Sequence, residues 1–140
     1  MFKKILVPID LEHENAGSRV LPAAKKLAID NGAEITLVHV MPTIPGFIAK
    51  DVPAGYERCV AEDTKLELKA LAEKYSVPGD VQIHVAQGSV YPKIIECASE
   101  IKADAILLSS HRPGLSYYLL GSNAARVVRH SKCSVIVLRD

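Results

Sequence analysis

The residues with most chemistry to offer run from Ser109 to Asn123, "SSHRPGLSYYLLGSN". They follow an apolar run, "ADAILL", and lead into "AARVVRH". A loop between a strand and a helix is where phosphates are often held. This is not a Walker loop, because no Lys follows Gly121. A phosphate can still bind there. Gly121 and Ser122 would open the helix, whose first N–H groups have no partner within it and point outwards. Those amides and the helix dipole favour an anion. Gly121 has no Cβ to block close approach, and the Ser122 hydroxyl can donate one more bond. The same pair would also suit a plain helix start, with Ser122 as its cap.

A second chemical residue, Asp10, ends the run "KKILVPID". A carboxylate at the end of a first strand, away from the phosphate loop, suits a ribose hydroxyl pair. It could equally cap the next helix. A phospho-acceptor role fails, because the expected third strand ends in Gln87–Gly88 and offers no Asp there.

These residues need elements to position them. "KKILVPID", "AEITLVHV", "VQIHVAQG", "ADAILLSS" and "CSVIVLR" are short β-rich runs and read as five strands. The near-continuous apolarity of the first predicts a strand covered on both faces, as in a parallel sheet. Helices are predicted over roughly Asn15 to Asn31, roughly Arg58 to Tyr75, from Ser89 as cap, and from Gly121–Ser122 to "RHSK". Pro22 should kink the first helix or delay its start. "MPTIPGFIAKDVPAGYE", with three prolines and two glycines, reads as a loop. The alternation predicts an open five-stranded parallel α/β sheet with helices on both faces, as a single domain over 1–140.

Two windings fit five strands, 2-1-3-4-5 and 3-2-1-4-5. Ligands bind at the carboxyl ends of strands where the winding reverses. The third strand ends in "AQGS" with no charge, whereas the first ends in "PID" and the fourth in "SSHR". The polar groups favour 3-2-1-4-5, which sets Asp10 across a crevice from Ser109 and His111.

Composition narrows the partners. Apolar residues make up 49% and charged residues 24%, with a net charge of +1. That balance argues against a general binder of nucleic acid or membrane surface. No apolar run approaches membrane-spanning length. Cys59, Cys97 and Cys133 are scattered and form no CxxC pair, so neither a zinc site nor a disulfide frame is expected. The expectation is a reduced cytoplasmic protein with its cysteines as buried fillers.

Taken together, "ILVPID", "EITLVHV", "QGS", "ADAILLSSH" and "LLGSNAARVVRHSKCSVIVLR" resemble the universal stress protein family over the whole chain. "SSHRP" and "LLGSNAA" look most like its small, nucleotide-binding F-type branch. The resemblance implies a Rossmann-like fold of order 3-2-1-4-5, ATP or AMP as ligand, and a homodimer. Nucleotide-binding members carry Gly, two residues, Gly, nine residues, Gly-Ser/Thr. On this chain the first Gly falls on Ser109, the loop His on His111, the second Gly on Arg112 and the final pair on Gly121 and Ser122. Asn123 and Ala124 continue that turn. Pro8, Ile9 and Asp10 fall next to the adenosine, Val40 on the strand-two contact to adenine, and Leu108 where the backbone meets the base. Both early glycines are replaced here, and eight residues rather than nine separate Arg112 from Gly121. Arg112 could pair a phosphate bidentately or block its approach.

The expected function is a nucleotide-dependent regulator or sensor in stress response. The alternative is a dimeric interaction scaffold of the same fold that binds no nucleotide. Neither an activated nucleophile nor paired carboxylates are evident, so no enzyme is expected beyond slow, metal-assisted ATP hydrolysis, in which magnesium could take part. "HxGH" and "SGGxDS" loops of adenylate-handling enzymes are absent. Val135 to Leu138 would be an uncharged sheet edge, and pairing it with a second copy would remove that edge.

Overall fold

A strand whose central side chains are all apolar must be covered on both faces, and the first strand meets that demand. Ile5, Leu6 and Val7 have no exposure at all. In the computed structural model, which describes residues 1–12, 15–110 and 122–139, they form the centre of β1 (Lys4–Pro8). The chain continues through α1 (Val20–Asn31), β2 (Glu34–Met41), α2 (Gly46–Ala49), α3 (Tyr56–Lys74), β3 (Gln82–Gln87), α4 (Val90–Glu100), β4 (Ala105–Ser109), α5 (Ser122–His130) and β5 (Ser134–Leu138). The strands form one parallel sheet in the order β3-β2-β1-β4-β5.

Side chains of a strand alternate between its faces, and this divides the core in two. Ile5, Val7, Ile35, Leu37 and Leu107 pack with Leu21 and Ala24 of α1 and Leu68 and Ala72 of α3. Leu6, Val38, Ile106 and Leu108 pack on the other face with Ile94 and Ala98 of α4 and Val127 of α5. Each fully buried aliphatic side chain contributes about 1.5–3 kcal/mol relative to an exposed one. At the amino end of the sheet the Asp104 carboxylate accepts the Lys3 N–H at 2.8 Å and the Lys4 N–H at 3.3 Å. It thereby locks β4 to β1 where both begin.

Several expectations need correction. Helix α1 starts at Val20 rather than near Asn15. Pro22 then lies in the first turn, where its missing N–H costs nothing. The predicted loop after β2 contains α2, four residues with none buried, so no apolar periodicity could reveal it. Ser89 occupies the cap position of α4, but its side chain makes no cap hydrogen bond. Asp10 does not cap α1, whose cap position is held by Arg19. The cysteines are not all buried fillers, since Cys59 is exposed.

Cys97 is buried on α4. Burial, then the negative charges of Glu100 and Glu96, push its thiol up from 9.0 to about 11. The folded chain therefore holds this proton more tightly than the unfolded chain. The linked stability is present below about 9 and is lost as pH rises towards 11. Denaturant titrations across that window should show a steeper loss in the wild type than in Cys97→Ala. Parallel pH profiles would contradict this.

Candidate functional site

The pairing of β1 with its neighbours is uneven. Its ladder with β2 runs through all five residues, to Pro8↔Val38. Its ladder with β4 stops after Ile5↔Ala105 and Leu6↔Ile106. Residues of a parallel strand bond alternately to either side. The Ile9 N–H goes to Val38 O of β2 at 2.8 Å, and Lys4 O accepts from Asp104 N of β4 at 2.9 Å. Position 8 therefore turns its backbone towards β4, and Pro8 has no N–H to give. The two strands part there.

A cavity of about 490 Å³ opens over the gap. Small-molecule sites are commonly about 300–1,000 Å³. It lies at the carboxyl ends of the strands, where the winding reverses. Pro8, Ile9 and Asp10 line one wall, and Leu108, Ser109 and Ser110 another. Val40 of β2 and Asn123 and Ala124 from the first turn of α5 also line it. The structure thus brings these sequence-predicted residues to one space. Ser122 begins α5 and is exposed, but does not line the cavity. His111, Arg112 and Gly121 lie outside the described residues.

The residues just after β1 are held by local contacts. Asp10 Oδ1 accepts the Glu12 N–H at 3.1 Å, an Asx-type turn. Beneath it, His39 is 9% exposed and its Nδ1 lies 2.9 Å from Ile9 O. That contact needs a proton on Nδ1. The Leu11 N–H, 3.5 Å from the same nitrogen, is then no partner for it. In the strand pattern of the sequence His39 reads as packed or half-exposed, and the structure packs it. The signal that places it at the cavity is its parity: it follows Ile35 and Leu37 on one face, one step beyond the last pair of β2 with β1.

Across the cavity, Ser110 is fastened to β5, its N–H and Oγ reaching Leu138 O at 3.0 and 3.3 Å. Gly17, on the approach to α1, lines the cavity with a left-handed φ of 78°. A Cβ there would lie 2.6 Å from Cδ1 of Leu21, which is fully buried and cannot retreat. Arg19 lines the cavity too, and its Nη1 donates to Arg139 O at 3.2 Å. Neither Gly17 nor Arg19 was singled out from sequence. Among the described residues no three His, Cys, Asp or Glu side chains group to hold a metal ion.

The sequence model of the Universal stress protein family matches residues 1–139. The chain belongs to that family. Among its members, Universal stress protein G of Shigella flexneri is 32% identical over 144 residues, covering 99% of this chain and 100% of that one. Solved structures agree in fold. A universal stress protein in complex with cAMP gives a TM-score of 0.69 at 21% identity, covering 99% of this chain and 97% of the other. The universal stress protein from Archaeoglobus fulgidus in complex with dAMP gives 0.65 at 22%, covering 98% of each.

Gly17→Ala should destabilise this universal stress protein by about 1–3 kcal/mol, from left-handed strain and overpacking together. Chemical denaturation measures the shift, and an unchanged midpoint would contradict the packing described.

Proposed function

We propose that this chain binds an adenine nucleotide, ATP or AMP, in the cavity between β1 and β4. In this reading it acts as a nucleotide-dependent regulator or sensor in the stress response. The observation that carries the reading is the cavity itself: aliphatic on its floor, polar at its rim, and placed where two strands part at the reversal of winding. Val40 and Leu108 would face the base, Asp10 the ribose, and the first turn of α5 the phosphate. The cAMP and dAMP bound by the two universal stress proteins compared above support an adenine ligand.

The reading assigns no catalytic residue, so ATP turnover should be slow and incidental. We also propose a homodimer formed through β5. Ser134 to Leu138 carry no charge and lie at one edge of the sheet, the arrangement that invites strand addition. A cytoplasmic location fits three cysteines that are all free. No helix among the described residues is long and apolar enough to cross a membrane.

Calorimetry with AMP, ATP and Mg-ATP should give saturable heat and a raised Tm, since about 100 Kd of ligand adds roughly 2.7 kcal/mol of stability. No heat and no thermal shift with any adenine nucleotide would overturn the reading and favour a scaffold of the same fold. Sedimentation at micromolar concentration should return two copies, and a monomer would remove the β5 pairing.

A further inference from the structure

Arg19 goes against a local preference. It stands at the start of α1 with helical backbone angles, so it places a cation at the positive end of the helix dipole, where an anion is favoured. Sequences that violate local preference in this way do so mostly at functional sites.

The side chain points to what is gained. It lines the cavity and reaches the carbonyl of Arg139, just beyond β5. The preceding carbonyl, Leu138 O, holds Ser110 at the end of β4. Arg19 and Ser110 are thus anchored to successive carbonyls at the end of β5. Asn123 and Ala124, in the first turn of α5, line the same cavity. Charge points the same way. Among the described residues that line the cavity Arg19 is the cation, and a ligand carrying phosphate is favoured by an opposite charge beside it.

We propose that Arg19 is the phosphate-binding cation of this cavity, taking the place of the lysine that a Walker loop would supply. The assignment rests on the nucleotide reading given above. A guanidinium can hold a carbonyl and a phosphate together, because its N–H groups lie in one plane and point in different directions. The cavity would then select phosphorylated nucleosides over bare ones, reading the anion from the β1 side as well as from α5.

The test is calorimetry at low ionic strength with AMP and adenosine as probes, on the wild type, Arg19→Ala and Arg19→Lys. Arg19→Ala should lose AMP affinity about 10- to 100-fold, the range for a hydrogen bond to a charged group. Its adenosine affinity should match the wild type, and Arg19→Lys should recover part of the loss. Equal AMP binding by wild type and Arg19→Ala would overturn the proposal. So would parallel losses of AMP and adenosine, which mark a role in folding rather than in holding phosphate. A wild type that binds AMP no better than adenosine would sink the cation role and leave the adenine site standing. A wild type that binds neither would sink both.

Discussion

A missing N–H at Pro8 underlies the architecture of this site. The backbone at position 8 faces β4, and proline cannot donate to it. The β1–β4 ladder ends at Leu6↔Ile106, while the β1–β2 ladder continues to Pro8↔Val38. The sheet therefore opens at one place only along β1, at its carboxyl end on the β4 side. Winding reverses at the same place, so helices leave the gap towards opposite faces and neither covers it. Had β1 and β4 stayed paired to their ends, the same topology would have offered a narrower crevice.

The rest of the molecule keeps that opening in shape. Two close-packed faces hold the strands from below, and the Asp104 carboxylate joins β1 to β4 at their amino ends. Above the gap the residues at the strand ends are held by short polar contacts: Asp10 to the Glu12 amide, His39 to Ile9 O, Ser110 to Leu138 O. Such contacts lower the ordering cost of binding at these residues, which are set before a ligand arrives. These contacts lie where the paired strands end, so they belong to the site more than to the core.

Much of this was legible in the sequence, for identifiable reasons. Ile5 to Val7 form a continuous apolar run, so a doubly covered parallel sheet followed, and the polar strand ends at "PID" and "SSHR" chose the winding. The start of α1 was legible in part: Pro22 signalled a delayed start, which is what is seen, but the left-handed turn at Gly17 that sets the exact residue is a property of backbone angles. Helix α2 buries nothing and so leaves no periodic trace. His39 and Arg19 were visible as residue types, but their positions depend on partners more than twenty residues away, Ile9 O and Arg139 O. Composition alone could not separate the exposed Cys59 from the buried Cys97.

The central claim is that the parting of β1 and β4 creates the binding surface. Amide-detected NMR during titration with AMP tests it directly, because every backbone N–H near the ligand reports. The account predicts saturable shifts concentrated at Ile9 to Leu11, Ser109 and Ser110, and Asn123 and Ala124, with β3 and the body of α3 silent. Shifts centred on α2 and the start of α3, or no shifts at saturating nucleotide, would contradict it.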